Sequence, residues 1–252
     1  MTDVTTVVPA VPAVAPVAEG EFRIGPVFSR TLTLLLHNFP IYFAVAALAA
    51  VPGVLLETAG ADKAAAAALA PLGLLAMLVF GPLSQAIMLY TAFQDMGGRR
   101  VVLSESIGAA FRRWLPLIGL AICMGIGIGV GFIFLVVPGL ILATMWYVAT
   151  PACIVERRGV FDSMARSSAL TKGHRWPIFG VMLLLGIGGG VMAAVIKAVL
   201  VLSGSAGLVI VGSLAWSALA GAFGTIFVVV AYHDLRVAKE GVDIRQIAAV
   251  FD

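Results

Sequence analysis

Five cationic side chains, Arg157, Arg158, Arg166, Lys172 and Arg175, fall close together in a stretch that also carries Glu156, Ser163, Ser167, Ser168, Thr171 and His174. Set beside apolar sequence, such a cluster has the chemistry to hold anionic lipid headgroups, each Lys or Arg near a charged leaflet being worth about 1 kcal/mol. The same charges could instead do no more than set topology. Glu156 is placed to pair with Arg166 or Arg175 and so to fix this loop. A second polar group, Gly81-Pro82-Leu83-Ser84-Gln85, lies inside an apolar run. Pro82 removes a backbone donor and kinks a helix, and Ser84 and Gln85 either satisfy the backbone groups this frees or line a small polar cavity with Pro82.

Other chemistries find no residue set. His37, His174 and His233 lie in three separate segments, with no spacing that would bring them onto one metal ion with Glu156 or Asp234. Gly204-Ser205-Ala206-Gly207 resembles a serine elbow only in outline, since no histidine sits at comparable depth to activate the hydroxyl. Neither glycine run has the strand context of a dinucleotide loop, and the paired carboxylates of membrane phosphoalcohol transfer are missing. No catalytic, cofactor-binding or metal-binding residues are expected. Cys123 and Cys153 sit in apolar runs, where a thiol behaves as a small hydrophobe.

The elements that must position these residues follow from composition. Of the 252 residues 61% are apolar and 12% charged, with a mean hydropathy of +1.08. Soluble domains carry about 25% charged residues, so this chain cannot cover a water-facing globule. Apolar blocks at 39–57, 72–93, 115–135, 138–155, 177–200 and 206–232 each have roughly the 17–25 residues that span a bilayer. The reading is therefore an all-α integral membrane protein with six transmembrane helices. Pro138-Gly139 marks a tight hairpin between the third and fourth spans. Fourteen of the sixteen Lys and Arg residues then fall on one face, leaving Lys63 and Lys197 for the other. The positive-inside rule makes the basic face cytoplasmic and places both termini there. A net charge of +3 without a clustered soluble patch argues against nucleic acid.

Residues 1–20, with Pro9, Pro12 and Pro16, read as a disordered tail and not a signal peptide, because no basic n-region precedes Ala13-Val14-Ala15. Residues 21–233 read as the six-span membrane domain and 234–252 as a short cytoplasmic tail. Asn38-Phe39-Pro40-Ile41, Arg113-Trp114-Leu115-Pro116 and Arg175-Trp176-Pro177-Ile178 repeat an aromatic and a proline at the start of a span. Each follows a short amphipathic segment, predicted as an interfacial helix. The expected apolar stripes are Ile24, Phe28, Thr31 and Leu35 in the first, and Ile107, Ala110, Phe111 and Trp114 in the second, with Ser104 as its cap. The third presents Val160-Phe161, Met164-Ala165 and Ser168-Ala169. Interfacial helix plus hairpin, used three times, gives a threefold pseudo-repeat about the membrane normal. Gly125, Gly127, Gly129 and Gly131 form two interleaved GxxxG pairs, and Gly186 to Gly190 and Gly221 to Gly224 offer similar surfaces. These suit helix packing within the chain or a seam to a second copy. No ionisable residue lies at the centre of a span, which argues against ion-coupled transport.

Several of these residues carry a family resemblance: Phe22-Arg23-Ile24-Gly25 with Phe39, the Val137-Pro138-Gly139 turn, Pro151, Glu156, Gly159, Arg166-Ser167 and Leu170-Thr171-Lys172-Gly173, and the closing Tyr232, Asp234-Leu235-Arg236 and Lys239-Glu240-Gly241-Val242-Asp243. The chain resembles bacterial inner-membrane proteins related to the membrane domain fused to some glycerophosphoryl diester phosphodiesterases. The resemblance implies a membrane module with an envelope or lipid connection, and it carries over no catalysis. The expected function is a non-enzymatic inner-membrane module, without cofactor, that organises lipid, anionic lipid in particular, or partner proteins at its basic face. The alternative is a conduit or flippase for a lipid or small amphiphile, through the Pro82 to Gln85 region.

Overall fold

The structure is a computed structural model and describes residues 24–59, 63–99 and 101–240. The expected tail over 1–20, the residues Phe22, Arg23, Arg100 and Arg245, and the sequence from Gly241 lie outside the described residues.

The described residues form α-helices throughout, with no strand among them. In chain order they are α1 (Ile24–His37), α2 (Phe39–Ala59), α3 (Lys63–Met96), α4 (Leu103–Arg112), α5 (Trp114–Phe134), α6 (Val136–Met145), α7 (Ala149–Val155), α8 (Val160–Thr171), α9 (Arg175–Leu202) and α10 (Ala206–Glu240). Six segments are long and apolar enough to cross a membrane: α2, α3, α5, the α6–α7 pair, α9 and α10. The chain is thus a multi-pass membrane protein by the length and composition of its helices. A short helix precedes each successive pair of spans, α1 before α2, α4 before α5 and α8 before α9.

The last span is longer than the sequence pattern marked. α10 runs for 35 residues, about 50 Å at 1.5 Å per residue, against about 30 Å of hydrocarbon. Residues 234–240 therefore continue the helix, with Asp234 and Leu235 buried. α10 packs with α2 and α3 at the centre of the bundle, and Tyr42, Leu89, Ile226, Phe227 and Tyr232 are fully buried there. α9 flanks this centre against α10 and α6.

The reversal between the third and fourth spans comes at Leu135 and not at Pro138-Gly139. Leu135 alone is extended, at φ −165° and ψ 149°, and Pro138 sits in the first turn of α6. A proline there costs no hydrogen bond, because first-turn amides have no intrahelical acceptor. Four residues either side of the turn, Gly131 and Gly139 meet so closely that a Cβ on Gly131 would lie 2.9 Å from the Gly139 Cα. A Cβ on Gly127 would likewise strike the Trp146 ring at 2.7 Å. Only that half of the interleaved glycine pattern packs within the chain. Gly125, Gly129 and Gly186, Gly188, Gly189 and Gly190 meet nothing within 4 Å.

The three short helices split the expected apolar stripes, turning their aromatic members outward while Thr31, Leu35 and Ala110 are buried and Val160 and Met164 pack against the core. α4 buries Ser106 and Ala110 and exposes Ile107, Phe111 and the adjoining Trp114. α8 buries Ser163, Ser167, Leu170 and Thr171 while Phe161 is exposed. α1 buries Val27, Thr31 and Leu35 and leaves Phe28 exposed. Where the surroundings are apolar, large side chains gain nothing by facing another helix, and small or hydroxyl-bearing faces allow close approach and hydrogen bonding. In α8 this bonding has a clear object, the break between α6 and α7. Ser167 Oγ donates to the Met145 carbonyl at 2.8 Å and accepts from the Val148 amide at 3.2 Å. Thr171 Oγ1 reaches the same carbonyl at 3.3 Å. Ser104, the expected cap, lies inside α4; the cap residue is Val102, whose amide donates to Gln94 Oε1 on α3 at 3.2 Å.

Candidate functional site

The span ends that bear the basic residues gather at one end of the bundle, and there α7 ends at Glu156. Arg166 Nε, from α8, donates to both carboxylate oxygens of Glu156 at 2.7 and 2.9 Å. Arg158 Nε donates to Oε2 at 2.6 Å, and the Tyr232 hydroxyl, from α10, donates to Oε1 at 3.0 Å. Arg166 also pairs with Glu240, which accepts from Arg236 Nε at 3.2 Å. One carboxylate thus ties α7, α8 and α10 together. Burial pushes the Glu156 carboxyl up, and the Arg166 bond and charge, with Tyr232 and Arg158, more than offset this and hold it below the usual carboxylate range. The pairing expected of Glu156 is made with Arg166; Arg175 instead donates to Ser168 Oγ at 3.3 Å.

The five candidate headgroup residues are therefore not one site. Arg158 and Arg166 are held by Glu156. Lys172 is exposed beyond the end of α8. Arg175 lies beside an apolar groove of ≈ 400 Å³ with Leu140, Ile141, Trp176 and Phe179. Arg157 faces elsewhere. At φ 51° it is the one non-glycine residue in the left-handed region among those described, a conformation that costs an L-residue about 1–2 kcal/mol. It lines a cavity of ≈ 620 Å³ with Tyr90 and Gln94 of α3, Glu105 of α4, and the Arg112-Arg113 pair that joins α4 to α5.

Arg112 and Arg113 escaped the sequence reading as site residues. Their meeting with Arg157 depends on packing between segments more than forty positions apart, and no local pattern signals it. Two further ion pairs were equally invisible. Arg30 Nη1 donates to Asp234 Oδ1 at 2.9 Å, beside His233, and His37 Nδ1 lies 2.8 Å from Asp95 Oδ1. The histidines are thus distributed among separate partners. Among the described residues no group of three or more His, Cys, Asp or Glu side chains converges as metal ligands would.

Pro82, Ser84 and Gln85 lie together on a cavity of ≈ 420 Å³ between α2, α3 and α10, whose polar lining is completed by Ser217 and Thr225. Ser84 Oγ donates to the Gly81 carbonyl at 2.9 Å, so its hydroxyl is satisfied by the kinked helix itself. Ser217 also lines a smaller cavity of ≈ 230 Å³ towards the opposite end. There Lys197 of α9 pairs with Glu57 of α2, a partner that the sequence alone did not assign to it.

A family model described as a domain of unknown function (DUF7847) matches residues 124–235, from within α5 to the end of the buried part of α10. The match includes Glu156, Arg158, Arg166 and Tyr232 and stops short of Pro82, Arg112 and Arg113. No curated protein and no solved structure matches the chain.

Proposed function

We propose that this chain is a non-enzymatic module of a bacterial inner membrane, with both termini cytoplasmic, whose basic face organises anionic lipid of the inner leaflet. The observation that carries the reading is the gathering of basic residues at one end of a six-span bundle. Lys197, at the other end, pairs with Glu57. The positive-inside rule makes the basic end cytoplasmic. Support comes also from the short helices, which present Phe28, Ile107, Phe111 and Phe161 outward, as helices lying in an interface do. Their order, one before each pair of spans, suits a threefold pseudo-repeat, and the resemblance to phosphodiesterase-linked membrane domains points the same way.

The test is the lipid that remains with the protein. Purified in a mild detergent, it carries anionic phospholipid enriched over the composition of the source membrane, as read by mass spectrometry. Retained lipid that merely mirrors the membrane contradicts the reading.

The cavity between α2, α3 and α10 favours a second reading, a conduit for a lipid or small amphiphile. Its polar lining at mid-span, Ser84, Gln85, Ser217 and Thr225, is what such a path requires where the surrounding solvent is hydrocarbon. In proteoliposomes, accelerated loss of a fluorescent lipid's protection from an external quencher would support the conduit, and a rate equal to that of empty vesicles would sink it.

A further inference from the structure

We propose that the cavity between α3 and α4 holds the phosphate of one anionic phospholipid on Arg112, Arg113 and Arg157, with an acyl chain in the groove beside it. The proposal rests on the reading of the basic face as a lipid-binding surface and gives that surface a built site.

Charge is the first argument. Three guanidiniums and a single carboxylate, Glu105, line the cavity, so basic side chains outnumber acidic ones there by two. Among the described residues Arg112 and Arg113 form no ion pair, unlike Arg158 and Arg166, which Glu156 holds. Guanidiniums carry several donors in a fixed planar fork and match phosphate oxygens in geometry as well as charge.

The second argument is what lies beneath. A groove of ≈ 320 Å³, lined by Val79 and Leu83 of α3, Phe111 of α4, and Trp114 and Ile118 of α5, is apolar on every side. It belongs to the same surface as the cationic cavity. On α3 the residues at 79 and 83 face the groove and those at 90 and 94 face the cavity; at 100° per residue all four fall within one narrow stripe of the helix. Seven residues separate Leu83 from Tyr90, a rise of about 10 Å. On the opposite wall Phe111 and Trp114 of the groove bracket Arg112 and Arg113 of the cavity. A cationic chamber stacked over an apolar slot, with an exposed tryptophan at the junction, matches a phospholipid's phosphate, chain and interface in that order. A soluble phosphate would have no use for the slot.

The same juxtaposition recurs at Arg175-Trp176, where a single guanidinium stands beside the groove of Leu140, Ile141 and Phe179. Both grooves lie between one span and the start of the next, two spans apart along the chain. With one guanidinium in place of three, the second position has less to hold an anion with.

Delipidated protein in neutral detergent, offered equal amounts of a phosphatidylglycerol and a phosphatidylcholine of identical chains and read by native mass spectrometry, decides the matter. The wild-type chain retains the phosphatidylglycerol in preference. Arg112→Gln/Arg113→Gln loses that preference by about tenfold or more, at several-fold per guanidinium. Lys172→Gln/Lys239→Gln, which removes the same charge from the same end, changes it by less than about twofold. Arg157→Gln alone, at an exposed turn, lowers it several-fold. Equal losses in the two double variants would overturn the site and leave the broader reading standing. A wild-type chain with no preference for the anionic lipid would overturn both.

Discussion

Arg157 and Arg158 are neighbours in the chain and belong to two different arginine clusters. Arg158, with Arg166, points to Glu156 and is closed into a network with Tyr232, Arg236 and Glu240. Arg157, turned away by its left-handed backbone, joins Arg112 and Arg113 around a cavity that holds one carboxylate. Guanidiniums matched by carboxylates fasten helices together and have little charge left for a ligand. Guanidiniums in excess over carboxylates contribute little to the fold and present charge to whatever arrives. Proximity in sequence, which first suggested a single lipid-binding loop from Arg157 to Arg175, does not distinguish the two roles.

The contrast can be broken most forcefully at Glu156. Glu156→Gln strands Arg166, whose side chain is only 18% exposed, and removes an acceptor shared by three helices. Removal of one partner from such a network costs about 2–3 kcal/mol, read as a fall of several degrees in apparent Tm in detergent. An unchanged Tm would mean that the network does not fasten α7, α8 and α10.

Acid should act through the same carboxylate. Its pKa is held below the ordinary value in the folded chain, so its contribution to stability is complete above the unfolded carboxylate value of about 4.3 and is lost as pH falls through the folded value. The difference in Tm between wild type and Glu156→Gln therefore stays constant from pH 7 to about 5 and shrinks at lower pH. A difference that grows on acidification would reverse the sign assigned to Glu156.

Tyr232→Phe sharpens the comparison further. It removes the hydroxyl that donates to Glu156 and accepts weakly from Arg236 Nη1 at 3.5 Å, and it leaves the Glu156–arginine pairs in place, for a cost of about 1 kcal/mol. Smallest of all is the expected effect of Arg112→Gln/Arg113→Gln on Tm, within about 0.5 kcal/mol, since among the described residues neither side chain has a carboxylate to lose. A large destabilisation there would show that the second cluster is structural as well.

Much of the architecture was legible in the sequence because hydropathy over some twenty residues is a strong local signal. The six spans and the short helix before each pair follow from periodicity and length, and the polar group Pro82, Ser84 and Gln85 stood out because it interrupts an apolar run. The turn at Leu135 was misplaced because Pro138-Gly139, a turn signal in water, serves here as a helix start and a close contact with Gly131. The buried serine face of α8 was missed for a related reason. In water the apolar stripe faces the protein, whereas beside lipid the hydroxyls of Ser167 and Thr171 are better used against the broken helix at Met145. The division of the arginines was not legible at all. It depends on one left-handed residue and on contacts between distant segments, and neither leaves a trace in spacing.

The central claim, that the cluster of Arg112, Arg113 and Arg157 and not the one closed on Glu156 meets lipid, is tested most directly by fluorescence quenching with brominated chains. Trp114 stands at the junction of the cationic cavity and its groove, and Trp176 stands beside the single Arg175. In vesicles doped with brominated phosphatidylglycerol or brominated phosphatidylcholine, the anionic lipid should quench the protein more strongly. That excess should vanish in Trp114→Phe and in Arg112→Gln/Arg113→Gln and survive in Trp176→Phe. An excess that survives both Trp114→Phe and Arg112→Gln/Arg113→Gln would contradict the claim.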